Sequence, residues 1–183
     1  TAATPDRHAV SDFTLRDGYR VRFANASDRR LQTIFARMSA AGLRVGTYAV
    51  PGTYPPESLS AFQVPGFDTP FGASPDARTT HPADLARRLL DRYGTLAVEG
   101  PSQARIDDGW HRAALSKMLA TIDERTRMFA DLLVEEALDC AMIHFIESDT
   151  VSHQFRHFCD RGSPRYVHSE LGDAMRTVYR ALD

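Results

Sequence analysis

Two side chains four residues apart, Asp149 and His153, form the clearest chemical pattern in this sequence. They follow an apolar stretch over residues 139–148 that is typical of a strand buried on both faces. If helical backbone begins near Val151, the spacing brings the carboxylate and the imidazole close enough to hold one cation. Such oxygen and nitrogen donors suit zinc or manganese. The pattern indicates half of a metal site, and a helix cap at Asp149 beside a surface histidine is the alternative.

A proline-rich loop carries the next candidates, Tyr54 and Glu57, which could shape the mouth of a substrate site. A proline-locked turn that packs Tyr54 on the surface explains the same residues equally well. His157 extends the face of Asp149 and His153 by one more helical turn and is a candidate third ligand, but an amphipathic helix face is the commoner arrangement. We therefore predict substrate contacts at Tyr54 and Glu57 and metal contacts at Asp149 and His153.

The composition narrows the class of protein. The 183 residues suffice for one domain with a real core, and a formal net charge of -2 provides no basic field that would hold nucleic acid. No apolar run approaches the roughly 20 residues that span a bilayer, so we expect no membrane span. The low number of cysteines fits a reducing compartment, and we expect a cytoplasmic location. Cys140 and Cys159 are too few for a disulfide framework and are expected to be small buried hydrophobes.

The elements that must position these side chains alternate between helices and strands. After a turn-rich start over residues 1–26, Ser27 is predicted to cap a helix that ends at Gly42. A β-branched strand is predicted over 43–50, and the proline-dense stretch over 51–82 is predicted to form a long ordered loop. This order of helix and strand favours a parallel sheet.

Three further helices are predicted in the second half of the chain. A short helix ends at Gly94, a long amphipathic helix covers 107–137, and a closing helix covers 164–183. The apolar strand before Asp149 lies between the second and the third of them. Together these elements predict one α/β domain over residues 1–183 with a mostly parallel sheet.

Three segments of the sequence resemble one known family. The first is RVGTYAVPGTYPPE at 44–57 followed by GFDTP at 66–70, which resembles the nVPxTYPPE…vxGfxTP stretch of predicted phosphohydrolases. Those belong to the alkaline phosphatase superfamily, in its type I phosphodiesterase/nucleotide pyrophosphatase branch. The second is TAATPDRHAVSDF at 1–13, which resembles the family's TGxNPGxHGIxDF with replacements at Ala2, Thr4, Asp6 and Ala9. The third is SDTVSHQF at 148–155, which resembles the family's aspartate and histidine pair before a helix.

The resemblance implies a three-layer α/β/α fold with a mostly parallel sheet, like that of alkaline phosphatase and incomplete at both ends. It implies hydrolysis of a small phosphate mono- or diester by two divalent metal ions, zinc or manganese, and a Thr or Ser nucleophile upstream of Thr1. Asp149 and His153 would hold one ion, and the remaining ligands would lie outside the chain. Because catalytic zinc usually has three protein donors, we expect the isolated chain to bind metal weakly and to hydrolyse nothing.

Other classes of function stay open at this point. A non-catalytic α/β module derived from such an enzyme would bind a partner through apolar surface where flanking strands would pack, and a homo-oligomer would favour it. A small-molecule binding domain without metal would keep its ligand affinity and metal content after substitution of Asp149. The sulfatase branch has no support, because neither Cys140 nor Cys159 stands in a CxPxR-like segment.

Overall fold

The computed structural model describes residues 4–66, 69, 78–102, 106 and 109–183. These residues form a mixed α/β structure with a three-stranded parallel sheet, so the predicted α/β class is confirmed. The chain divides into two compact units, one made of Thr1–Leu96 with Met128–His144 and the other of Ala97–Arg127 with Phe145–Asp183. The three-layer arrangement and the single domain over residues 1–183 stay predictions.

The first unit combines a small antiparallel hairpin with the parallel sheet. In chain order its elements are α1 (Pro5–His8), β1 (Thr14–Asp17), β2 (Arg20–Phe23), α2 (Ile34–Ala40), β3 (Val45–Val50), β4 (Phe62–Pro65), α3 (Leu85–Tyr93) and β5 (Cys140–Ile143). β1 and β2 are joined through Gly18, whose φ of 57° costs glycine little. The turn-rich pattern predicted over residues 1–26 does not reveal these two strands, because cross-strand pairing and not local periodicity defines a hairpin this short.

β3 is the central strand of the parallel sheet and confirms the strand predicted over 43–50. The strand order is β4-β3-β5, and Gly46 of β3 lies opposite Phe62 on one side and Ala141 on the other. A Cβ atom at Gly46 would lie 2.6 Å from a ring carbon of Phe62 and 2.9 Å from a methyl carbon of Leu138. Glycine therefore lets these two side chains pack directly on the backbone of β3.

α2 begins later than the sequence pattern predicts. Ser27 lies in a 3₁₀ turn over Ala26–Asp28 and does not cap the helix. The N-cap is Thr33, whose Oγ1 accepts a hydrogen bond from the backbone nitrogen of Ala36 at 3.0 Å. The prediction of a start at Ser27 is wrong because either residue can cap a helix, and only the backbone path distinguishes them.

Two strands of the parallel sheet differ from their predictions. The loop predicted over 51–82 contains β4, a strand of four residues that is defined by its pairing with β3. β5 was predicted to be buried on both faces, but Ala141 and Met142 are exposed because β5 is at the edge of the described sheet. Cys140 in this strand and Cys159 are half-buried free thiols.

The second unit is built on helices around one apolar core. Its elements are residues 110–127 of α4 (Trp110–Glu136), α5 (Glu147–Cys159), a 3₁₀ turn (Glu170–Asp173) and α6 (Ala174–Leu182). The most buried core side chains come from all three helices and are Ala114, Met118, Ile122, Val151, Phe155, Ala174 and Val178. The long helix α4 is confirmed, whereas the closing helix begins at Ala174 and not at residue 164, because the 3₁₀ turn precedes it.

Helix α4 is the longest described element, with 27 residues. Its residues up to Arg127 belong to the second unit, and its residues from Met128 onward belong to the first. Its solvent face is charged and includes the ion pair between Asp123 and Arg127, one turn apart. Among the helices that the structure describes, none has the length and apolar character that a membrane crossing needs.

A fully buried ion pair fixes the start of α5 against α4. The side chains of Arg125 and Glu147 are 1% and 0% exposed, and two parallel hydrogen bonds of 2.9 and 3.0 Å join them. The Nε of Arg125 also donates to the carbonyl oxygen of Ala97 at 2.6 Å, and its guanidinium carbon lies 5.3 Å from the centre of the Phe145 ring. The buried guanidinium of Arg125 is therefore compensated by a carboxylate, a carbonyl oxygen and an aromatic ring, as a buried charge requires.

Replacing one partner of this pair should destabilise the protein strongly. We expect Arg125→Met to lower the free energy of unfolding in urea by about 3–5 kcal/mol, because it leaves the Glu147 carboxylate buried without its counter-ion. The double variant Arg125→Met/Glu147→Leu should recover most of that loss, since neither charge is then buried.

The matched control is Arg127→Met on the same helix. Arg127 pairs with Asp123 at 3.0 Å, but these side chains are 62% and 70% exposed, so the substitution should change the free energy of unfolding by less than about 1 kcal/mol. Equal losses for Arg125→Met and Arg127→Met would contradict the assigned role of the buried pair.

Candidate functional site

The two predicted metal ligands lie together on the exposed side of α5. Nε2 of His153 and Oδ1 of Asp149 are 3.3 Å apart, and the two side chains are 74% and 62% exposed. Donor atoms bound to one tetrahedral zinc ion would be about 3.4 Å apart, given metal–ligand distances of ~2.1 Å. The separation therefore fits two donors of one cation, and it equally fits a weak ion pair between them.

The alternative role of Asp149 as a helix cap is wrong. α5 begins at Glu147, so Asp149 lies inside the first turn, and Ile146 is at the N-cap without a side-chain hydrogen bond. The start comes four residues before the predicted Val151 because Glu147 is held inside the structure by Arg125. The carboxylate of Asp149 instead lies near the positive end of the helix dipole, where a negative charge is favoured.

A third ligand does not join this pair within the described part of the chain. No group of three or more His, Cys, Asp or Glu side chains in that part is placed to hold a metal ion. His157, the candidate third ligand, packs toward α4, with its ring centre 5.4 Å from that of His111. Within the described residues the arrangement is thus one carboxylate beside one imidazole, and metal binding by this pair stays a prediction.

The predicted substrate residue Glu57 is an anchor of its loop. Its carboxylate accepts a hydrogen bond from Oγ1 of Thr33 at 2.7 Å and pairs with Arg29 at 3.4 Å. Its backbone nitrogen donates to the side-chain oxygen of Gln63 at 2.6 Å. These contacts tie the loop to the N-cap of α2 and to β4, so Glu57 positions the loop in the first unit.

Tyr54 is partly exposed at the turn of the same loop. Its carbonyl oxygen accepts a hydrogen bond from the backbone nitrogen of Ala26 at 2.6 Å. The loop follows a β-bulge in β3, where Ala49 has a φ of 58°, a left-handed conformation that is uncommon for alanine. Such a bulge changes the direction of the chain at the carboxyl end of a strand, which is where ligands gather in parallel sheets.

A cavity of about 460 Å³ in the first unit lies beside this loop. Its wall includes Pro51 and Gly52 of the loop, together with Asn25 and Arg29. Arg29 donates to the carbonyl oxygen of Gly52 at 2.8 Å, so the guanidinium stiffens the loop while it lines the cavity. The sequence gives no sign of this role for Arg29, because a charged residue in a run such as SDRR is usually a solvated surface side chain.

Buried Gln63 is a second residue that the sequence did not single out. Its side chain is 0% exposed and bridges Thr47 Oγ1, at 3.1 Å, to the backbone nitrogen of Glu57. Its backbone exchanges two hydrogen bonds with His81. A glutamine in a proline-rich stretch gives no local sign of burial, so pairing with β3 is what reveals its role.

The structure thus brings Asp149 together with His153 in the second unit, and Glu57 together with Arg29 and Thr33 in the first. Comparisons with protein families, with curated proteins and with solved structures find no match to this chain. The resemblance to the alkaline phosphatase superfamily stays a prediction that rests on the three sequence segments.

The anchoring role of Glu57 predicts a measurable coupling with Thr33. Glu57→Ala should lower the free energy of unfolding by about 2 kcal/mol, because a partly buried charged hydrogen bond is lost. In a double-mutant cycle with Thr33→Val, the two losses should add to more than the loss in the double variant, since both remove the same contact. Urea denaturation of the four proteins measures this coupling.

Glu99→Ala provides the control, because Glu99 is an exposed glutamate in another part of the chain. Its substitution should change the free energy of unfolding by less than about 0.5 kcal/mol. Strict additivity of Glu57→Ala and Thr33→Val would show that their hydrogen bond does not stabilise the loop.

Proposed function

We propose that this chain is the central part of a metal-dependent hydrolase that cleaves small phosphate mono- or diesters. The observation that carries the proposal is the pair of Asp149 and His153, whose donor atoms are 3.3 Å apart on the exposed side of α5. Along the chain, α5 begins four residues after the end of the parallel strand β5. This is the order of strand, loop and helix on which α/β enzymes carry ligands.

The donor set fits the ions that the resemblance implies. A carboxylate oxygen and a neutral imidazole nitrogen are the ligands that zinc and manganese accept, and both side chains are open to solvent. Asp149 and His153 would hold one of two such ions, while the other ligands and a Thr or Ser nucleophile would come from outside this chain. When bound, such ions neutralise negative charge on the phosphate and lower the pKa of the attacking group.

The other residues of the chain position these groups. Arg125 and Glu147 set where α5 begins, and Asp149 and His153 follow Glu147 by two and six residues, so the buried pair determines which way the donors face. In the first unit, Glu57 holds the loop that carries Tyr54. We assign Tyr54 to contact with the substrate and Glu57 to positioning of this loop.

A non-catalytic binding module is the second candidate. It is favoured by β5, whose exposed Ala141 and Met142 present an apolar edge of the parallel sheet. An exposed sheet edge is a template for another strand. In that case the chain would form a homo-oligomer or bind a partner, and substitution of Asp149 would leave its association unchanged.

The test of the leading proposal is metal binding by the chain and by its ligand variants. We expect zinc and manganese to bind with a dissociation constant weaker than about 1 µM, because only two protein donors are present. Asp149→Asn and His153→Gln should each weaken this binding at least about tenfold in calorimetric titrations, since each removes one of the two donors.

Asp123→Asn is the matched control, since Asp123 is also an exposed carboxylate within a helical i, i+4 pair. Its metal affinity should equal that of the unchanged chain. In a longer protein that includes the flanking segments implied by the resemblance, Asp149→Asn should reduce phosphodiesterase turnover by more than about 100-fold. Unchanged metal affinity and unchanged turnover in the Asp149 variant would rule the proposal out.

A further inference from the structure

The second unit contains a cavity of about 360 Å³ away from the pair of Asp149 and His153. The first turn of α4 contributes His111 and Arg112, and the last turn of α5 contributes His157 and Phe158. Ser169 and Leu171 also line this cavity. A cavity of this size, with a few converging polar groups, lies within the range of small-molecule sites.

The polar groups of this cavity are basic. His111 and His157 are 5.4 Å apart between ring centres, and Arg112 follows His111 directly in the chain. Ser169 adds a hydroxyl group, and the lining residues that the structure describes include no carboxylate. Three basic side chains around one cavity make it complementary to a negatively charged group.

Arg112 can bind a ligand with little loss of protein stability. It pairs with Glu170 on the 3₁₀ turn, but these side chains are 70% and 64% exposed. An exposed ion pair of this kind contributes little to stability. Exchange of the Glu170 carboxylate for the anionic group of a ligand would therefore preserve the charge balance around the guanidinium.

The imidazole of His111 would gain from an anion as well. Burial lowers the pKa of His111, the nearby His157 lowers it further, and a hydrogen bond to the Gln154 backbone acts in the opposite direction. An anion beside His111 would favour the protonated form of this ring and raise its pKa. Anion binding should therefore strengthen as the pH falls. Among the lining residues that the structure describes, the permanently charged one is Arg112, whose partner Glu170 lies outside the wall.

We propose that this cavity binds a small organic anion, in which a carboxylate or phosphate is carried on an apolar group. The anionic group would lie between His111, His157 and Arg112, and Ser169 would donate a further hydrogen bond. The apolar group would lie against Phe158 and Leu171, which are partly buried beside the core of the second unit. The site is independent of the proposed hydrolase, because neither Asp149 nor His153 contributes to its wall.

The test uses two probes, phenylacetate and phenylphosphonate, with the full chain freed of metal on a chelating resin. Histidine ring signals in NMR spectra should shift for His111 and His157 on titration and stay unchanged for His153. The affinity for phenylacetate should rise several-fold as the pH falls from about 7 to about 5.5, because the lowered pKa of His111 moves its gain of charge below the usual histidine range while the probe stays ionised. Inorganic phosphate should bind at least about tenfold more weakly than phenylphosphonate, because it lacks the buried ring.

Four variants distinguish binding in this cavity from binding through general surface charge. Arg112→Gln and His157→Gln should each weaken phenylphosphonate binding about tenfold, which is the effect of losing one charged hydrogen bond. Arg127→Gln and His153→Gln remove an exposed arginine from α4 and an exposed histidine from α5, and they should leave binding unchanged. Equal affinity in all four variants, or no saturable binding of either probe, would overturn the proposal.

Discussion

The buried ion pair between Arg125 and Glu147 is the constraint on which the second unit depends. Two charges out of contact with water are tolerated only when geometry and additional hydrogen bonds compensate for their lost hydration, and here the Ala97 carbonyl and the Phe145 ring complete that environment. Because Glu147 is the first residue of α5, the pair fixes the rotation of the helix together with the buried core side chains Val151 and Phe155. The exposed donors Asp149 and His153 and the inward ring of His157 all follow from that rotation.

The sequence predicts those helices and strands whose characteristic residue pattern lies within the element itself. Helix α4 has many turns of apolar periodicity, and α3 ends at Gly94, whose φ of 73° matches a glycine stop. The sequence does not predict β4, because four residues carry too little periodicity and their partner strand is β3. It also places the start of α5 too late, since the burial of Glu147 depends on Arg125, which is 22 residues away.

The contacts in the candidate sites also divide into those that the sequence predicts and those that it does not. The contact between Asp149 and His153 could be predicted, because a helix brings residues four apart together whatever surrounds it. The contacts of Glu57 with Arg29 and Thr33 could not, since the loop folds back on segments 28 and 24 residues earlier in the chain. The basic cavity at His111 and His157 likewise depends on the packing of two helices. The spacing of residues along one helix thus predicts candidate metal ligands. The side chains that position a site depend on tertiary packing, which the spacing does not contain.

Strand β5 has a practical consequence for work with this chain. Its four residues, Cys140–Ile143, include neither a charged side chain nor a proline, which are the features that keep sheet edges from pairing with other molecules. Within the part of the chain that the structure describes, the outer side of β5 has no partner strand, so its backbone groups can pair with an extended segment. We therefore expect any self-association of the chain to begin at this edge of the described sheet.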